Sequence, residues 1–189
     1  MLVFLIVGCS KYQKDLAKQT KRFISEFPDS YILPVVGYLD VPGAYSVCCN
    51  DDYKSLPTKI REAMKMALKL PDVHAVIKVD DDIAFNRDEL QTLKEVLGQV
   101  QPRSYIGGGR GCTIGLEKHH GRRETSKFVH QTHYMYGGVT IFGRESARLI
   151  SENTDMRCQL EDVTAGYVLT RKGIIPTSFG FQVRENERI

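Results

Sequence analysis

The chain has 189 residues, 42% of them hydrophobic and 26% charged, with a formal net charge of +3. That balance fits a soluble globular protein of one domain that buries a real core. It gives no ground for a nucleic-acid partner, and the apolar start, Met1 to Val7, is far too short to span a membrane.

No basic region precedes that start, so Leu2 to Val7 reads as a central strand rather than a signal peptide. It ends at Gly8-Cys9-Ser10. Polar helix formers follow from Tyr12 to about Phe27, with Leu16, Phe23 and Phe27 near one face, and Pro28-Asp29 stops them. Tyr31 to Val36 is a second strand, in which Pro34 implies an edge position or an irregular start. Gly37 to Gly43 is a loop and Tyr45 to Cys49 a third strand. Strand, helix, strand in that order predicts a parallel sheet with right-handed crossovers.

Asn50 to Ser55 leads into an amphipathic helix, with Ile60, Ala63, Met64, Ala67 and Leu68 on one stripe. Pro71 ends it. Val73 to Val79 is a short apolar run rich in β-branched residues, and it runs into Asp80-Asp81-Asp82. Asn86-Arg87-Asp88-Glu89 resembles a capping box, and Leu90, Leu93 and Leu97 line the helix that it opens, up to Gly98. Beyond Pro102, glycines at 107–109, 111, 115 and 121 predict loops or short strands. Glu117 to Lys127 is dense in charge. A strand is expected over Val139 to Phe142, a helix over Arg144 to Glu152, and a last helix from Leu160-Glu161-Asp162 to about Lys172, with Gly173 at its cap. Ile174 to Pro176 and Phe179 to Val183 are weaker strand candidates. The charged tail, Arg184 to Ile189, would suit a domain cut from a longer chain. Five cysteines, with Cys48 and Cys49 adjacent and no CxxC pair, argue against a disulfide framework or a zinc site. They point to a reducing, cytoplasmic compartment.

Three polar sets stand out. Carboxylates as close as Asp80-Asp81-Asp82 repel one another unless a cation or hydrogen-bond donors sit among them. In an extended chain Asp80 and Asp82 share a face and Asp81 takes the other. A buried strand ending in oxygen ligands is where open α/β sheets place their sites, and such ligands select Mg²⁺, Mn²⁺ or Ca²⁺. A polar loop or a helix cap is the plainer reading. The second set is Glu161-Asp162 at a helix start, where Asp162 either caps the helix or acts as a base. The third is Asp52 with Lys59, flanking the start of the amphipathic helix. Glycines at 107–109 and 137–138 would let a backbone approach a bulky ligand. One mechanism uses all of these: a divalent ion on the aspartates neutralises a leaving diphosphate, and a carboxylate on the far side takes the proton of an attacking hydroxyl.

Tyr134 and Tyr136 read as ordinary half-buried aromatics. The basic run 118–123 reads as a solvated loop that could close over a donor, and His119-His120 lacks partners at zinc spacing. Two other functions compete. One is a metal-dependent phosphoryl or nucleotidyl transferase, although no Walker-type loop is present. The other is a non-catalytic module that binds polyanions through the 118–123 run.

Together the motifs resemble the β1,3-galactosyltransferase/Fringe group of glycosyltransferases. That group carries Asp-x-Tyr-x-Asn-Leu-Thr-x-Lys, matched here by Asp52-Tyr53 through Lys59 at a spacing one residue shorter. Lys78-Val79-Asp80-Asp81-Asp82 matches its Lys-x-Asp-Asp-Asp, a DXD-type motif. Tyr134-Met135-Tyr136-Gly137-Gly138 matches Tyr-x-x-Gly-Gly, and Glu161-Asp162-Val163 with Gly166 matches its Glu-Asp-Val segment. The resemblance spans roughly residues 50–175.

It implies a GT-A fold: a Rossmann-like, mostly parallel central sheet flanked by helices, with a small mixed second sheet. Residues 1–100 would form a nucleotide-binding half and 101–189 an acceptor or sugar half of one catalytic domain. It implies inverting transfer of a hexose or deoxyhexose from a UDP-sugar to a glycan hydroxyl, with Mn²⁺ or Mg²⁺. Asp82 and Asp80 would hold the metal, with Asp81 serving metal or ribose. Asp162 would be the base, with Glu161 next to it. Gly8, Cys9, Ser10, Asp52, Lys59, Gly137 and Gly138 would contact the nucleotide sugar. Departures are lysines (Lys11, Lys14, Lys18) where the group has arginines, no histidine after His133, and no membrane anchor or disulfide pattern. A soluble viral or bacterial member would suit those differences.

Overall fold

A computed structural model describes residues 1–38, 40–112, 132–136, 138–154, 160–180 and the strand at 184–185. The first apolar run forms β1 (Leu2–Val7), and a 3-10 turn at Ser10–Tyr12 leads into α1 (Gln13–Glu26). Then come β2 (Tyr31–Val36), β3 (Tyr45–Ser46), α2 (Leu56–Ala67), β4 (Ala75–Asp80), β5 (Ile83–Ala84) and α3 (Arg87–Leu97). The second half contributes β6 (Tyr105–Gly107), β7 (Arg110–Cys112), β8 (His133–Met135), β9 (Val139–Gly143), α4 (Arg144–Glu152), α5 (Glu161–Thr170), β10 (Thr177–Ser178) and β11 (Arg184–Glu185).

Seven strands form one sheet in the order β10-β6-β9-β4-β1-β2-β3. All neighbours are parallel except β9, which runs against both β4 and β6. The strand order reverses about β1, whose successor β2 lies on one side and β4 on the other. That is a topological switch point, and the crevice at the carboxyl ends of β1 and β4 is where such sheets take ligands. The expected second sheet is two separate antiparallel ribbons, β7–β8 and β5–β11.

Side chains alternate across the sheet as the strand period requires. Val3, Leu5 and Val7 pack with α2, α4 and α5, whereas Phe4 and Ile6 pack with α1 and α3. The Phe4 ring packs at a tilt against Phe23 and Phe27, which fixes α1 against β1. On β4, Ala75, Ile77 and Val79 face α1 and α3. Val76 therefore faces the other layer, and so do Lys78 and Asp80 by the same period.

Three expectations change. The third strand stops at Ser46, because Val47 and Cys49 turn back into the core through Val47 N–H to Val36 O and Tyr38 N–H to Cys49 O. Ile174 to Pro176 is not a strand; Thr177–Ser178 pairs with β6 instead. The glycines at 107 and 109 leave room for protein, not ligand: a Cβ there would lie 2.7 Å from Met135 Cβ and from Tyr136 Cδ2 respectively. Pro34 keeps its place because β3 covers β2 only at Val35 and Val36. The capping box of α3 forms with both hydrogen bonds in place, and Gly173 adopts φ +72° after α5.

Candidate active site

β1 and β4 run out of apolar residues side by side, with Val7 in register with Asp80. The Asp81 amide donates to the Val7 carbonyl at 3.1 Å and the Asp80 amide to the Gly138 carbonyl at 2.9 Å. The aspartates thus leave the sheet tied to strands on both sides. Asp81 is 5% exposed and turns toward α1. A Cβ on Gly8 would lie 2.9 Å from Asp81 Oδ2 and 3.0 Å from Leu16, so glycine is what lets Asp81 fit.

Asp80 points the other way, with Lys78 two residues before it. A lysine in an apolar layer needs partners. Its Nζ lies 2.7 Å from Asp80 Oδ1 and 3.2 Å from Glu161 Oε1. Burial works against the Lys78 charge, but Asp80 and Glu161 outweigh it and raise the group above the usual lysine value. Burial lifts the Asp80 carboxyl to about 7, with Lys78 opposing and Glu161 and Asp82 adding to the rise. The Asp80 side chain keeps 27% of its surface open to the cleft, where a cation would reverse that rise.

Glu161 and Asp162 open α5, where two acidic residues suit the positive end of the helix dipole. The N-cap is Leu160, which makes no side-chain cap, so Asp162 is not the helix cap its position allowed. Its Oδ1 accepts the Val163 N–H at 2.7 Å. Burial, then the charge of Glu161, pushes Asp162 up to about 7 against the Val163 amide and Lys78. Close packing seats α5: a Cβ on Gly166 would lie 2.5 Å from the His133 carbonyl oxygen. Tyr134 packs with Leu160 and Val163 at the same helix start, as a core aromatic, while Tyr136 is exposed.

Lys59 is buried and ties three elements together. Its Nζ donates to the Gly8 carbonyl at 2.9 Å and pairs with Asp51. Asp51 in turn accepts the amides of Ser10 and Gly37. Burial pushes its carboxyl up, but Lys59 and the two amides hold it well below the usual carboxylate range. The ion-pair partner of Lys59 is therefore Asp51, the neighbour of the Asp52 that the motif had grouped with Lys59. Asp52 is exposed and accepts the Ser55 N–H at 2.8 Å, capping a short turn. The signal was in the spacing: counted from Asp51, the Asp-x-Tyr-x-x-Leu-x-x-Lys frame is restored in full.

A cleft of about 520 Å³ joins these corners. It brings together the expected residues Gly8, Cys9, Asp52, Lys59, Asp80, Asp81, Asp82, Gly138, Glu161 and Asp162, and adds Asp51, Tyr12 and Tyr53. Ser10 is not in its lining and acts through Asp51. Gly137, the basic run 118–123, His119 and His120 lie outside the described residues. Among the described residues, seven carboxylates (Asp51, Asp52, Asp80, Asp81, Asp82, Glu161, Asp162) and one lysine, Lys59, line the cleft, with Lys78 paired to Asp80 and Glu161 behind it. Among the described residues no three His, Cys, Asp or Glu side chains converge into a cage for an ion. Such a donor set fits a hard divalent cation that takes the rest of its shell from water and phosphate oxygens.

A mostly parallel sheet with an acidic cleft at its switch point agrees with the GT-A fold of nucleotide-sugar transferases. A model of the galactosyltransferase family matches residues 46–179, and the chain belongs to that family. It is a glycosyltransferase. In structure it is similar to a glycosyltransferase involved in glycosylation of the major capsid of PBCV-1, at 12% identity over 94% of this chain and 81% of that one, with a TM-score of 0.55. It is similar also to a glucose-1-phosphate thymidylyltransferase from Bacillus anthracis, at 10% identity over 98% and 89%, TM-score 0.52. A third similar structure is A197 from STIV, at 11% identity over 98% and 85%, TM-score 0.51. At these identities the structures speak to the fold alone; the family match separates sugar transfer from nucleotidyl transfer. No curated protein sequence matches the chain. No helix among the described residues is long and apolar enough to cross a membrane.

Proposed function

We propose that the enzyme is an inverting, metal-dependent hexosyltransferase that moves a sugar from a UDP-sugar to a hydroxyl of a glycan acceptor. The observation that carries this reading is the place of Asp162: at the start of α5 it lines the same cleft as Asp80, Asp81 and Asp82, where desolvation and the charge of Glu161 raise it to about 7. A base with that affinity for protons suits neutral pH.

Asp82 and Asp80 would hold a Mn²⁺ or Mg²⁺ ion, which when bound neutralises the diphosphate and so eases its departure. Gly8, Cys9 and Gly138 line the part of the cleft, at the ends of β1 and β9, where the nucleotide would lie. Asp162 accepts the proton of the acceptor hydroxyl as that oxygen bonds to the anomeric carbon. The bond from that carbon to the diphosphate breaks on the opposite side, so its configuration inverts. The excess of carboxylates supports the metal requirement, because a diphosphate entering this lining alone would be repelled.

The test is a panel of nucleotide sugars with and without Mn²⁺, read by thermal shift and by donor hydrolysis. A ligand that binds the folded state raises its melting temperature. UDP-sugars with Mn²⁺ should give the largest shift, and Asp82→Ala should abolish it. UDP binding that survives chelation unchanged in calorimetry would remove the metal from this reading.

A further inference from the structure

We propose that Lys78 is a positioning residue, a buried ammonium strut that sets the end of β4 against the first turn of α5. This rests on the proposed roles of Asp80 and Asp162. The root of the strut is firm. Lys78 lies mid-strand between β1 and β9, opposite Leu5 and Thr140. Its side chain is 3% exposed, and its Nζ reaches both oxygens of Asp80, at 2.7 and 2.8 Å. The same ammonium meets Glu161, 83 residues further along, at 3.2 Å. Behind it lies a void of about 10 Å³, walled by Lys78, Tyr105, Thr140, Glu161 and Asp162, roomy enough for about one water. The pair is thus enclosed, not a screened surface contact.

Two opposed consequences follow. Because Lys78 occupies Asp80, a cation arriving there shares that carboxylate with an ammonium and is held less tightly. Because Lys78 also holds Glu161, it fixes where its neighbour Asp162 stands relative to the donor. Removing Lys78 should therefore tighten cation binding while slowing transfer. A residue that merely supported the fold would weaken both.

The experiment titrates Mn²⁺ into the full chain by calorimetry and measures kcat and acceptor KM for Lys78→Met, Glu161→Ala and the double variant. Lys78→Met should bind Mn²⁺ at least about 10-fold tighter, the effect of a unit charge on a divalent ion a few ångströms away even at water-like screening. Its kcat should fall about 100-fold, the scale for misplacing a catalytic group by an ångström. Glu161→Ala should lose a similar factor, and the double variant no more than either single, because the strut is cut once. Unchanged kcat in Lys78→Met, or weaker Mn²⁺ binding with slower transfer, overturns the proposal. If Lys78→Met does not fold, the double variant is compared with Glu161→Ala: tighter Mn²⁺ at equal kcat supports the strut, and a further 100-fold loss sinks it. A wild-type enzyme that transfers from no nucleotide sugar would count against the proposed function instead; the Mn²⁺ titration would still report on Lys78.

Discussion

Lys59 and Lys78 are buried alike, each with 3% of its side chain exposed, and each meets carboxylates beside the ends of the central strands. Their surroundings differ in charge count. Lys59 faces Asp51, and two backbone amides complete the carboxylate's hydrogen bonds. Charge is balanced there, and the Asp51 carboxyl is held below its ordinary range. Lys78 faces Asp80 and Glu161 together, with Asp82 and Asp162 adding negative charge nearby. One ammonium cannot balance that set, so Asp80 and Asp162 are pushed up toward neutral pH instead. A balanced buried pair fastens β1, β2 and α2 together. An over-supplied one keeps an appetite for protons, the kind of perturbation that gathers at functional sites.

The comparison breaks most visibly at Asp162. Asp162→Asn keeps the shape and removes the base, so kcat should fall by about 10²- to 10⁴-fold. UDP binding with Mn²⁺ should survive, because the neighbouring aspartates are untouched. Full transfer by this variant would return Asp162 to the rank of a structural carboxylate.

Lys59→Met tests the other corner, where the effect should fall on stability. It leaves Asp51 buried without its counter-ion, a change that costs about 3–5 kcal/mol. Denaturant unfolding should show that loss. Acid attacks the same pair. Because the folded-state value of Asp51 is depressed, its contribution is fully present above the ordinary carboxylate value of about 4 and is lost as pH falls through and below it. Asp80 and Asp162 run the opposite way. Their folded-state values are raised to about 7, so the native state holds their protons longer and stability falls as pH rises from about 4 to 7. Unfolding midpoints taken across that range should slope less in Asp162→Asn.

Much of this was legible in the chain. The apolar run into Asp80-Asp81-Asp82 placed the acidic corner on a strand end, because a buried strand and a carboxylate cluster have separate, strong patterns. Glu161-Asp162 was legible as a helix start for the same reason. Two things were not. Asp51 and Asp52 are neighbours of one type; the motif spacing favours Asp51, but the physical reason that it turns inward, the amides of Ser10 and Gly37, is brought near only by the folded chain. Lys78 sat inside a recognised motif, yet its role depends on Glu161, 83 positions away. Glycines gave the opposite error. Those at 107 and 109 resembled a ligand-approach loop, but β8 and Tyr136 take up the space.

Gly166 connects the two corners' logic to packing. It lies one turn into α5, where a methyl group would meet the His133 carbonyl and Tyr134 at 2.5 and 2.6 Å. Gly166→Ala must therefore push α5 from β8, at a cost of about 1–3 kcal/mol. Because Asp162 rides on the same helix, kcat should fall more than donor affinity. An alanine variant with wild-type kcat and a lowered melting temperature would show that the helix start tolerates the shift.

The smallest effect is expected at Asp52, and it separates the two readings of the motif. If Asp52 were the Lys59 partner, Asp52→Ala would be as damaging to the fold as Lys59→Met. Instead Asp52 is exposed and caps a single turn through Ser55, so its loss should leave the melting temperature nearly unchanged. Asp51→Ala should behave as the severe variant, because it strips Lys59 of its counter-ion and leaves the Ser10 and Gly37 amides without their acceptor. Measuring both melting curves side by side decides which aspartate holds the corner. A larger loss at position 52 than at 51 would reverse the assignment.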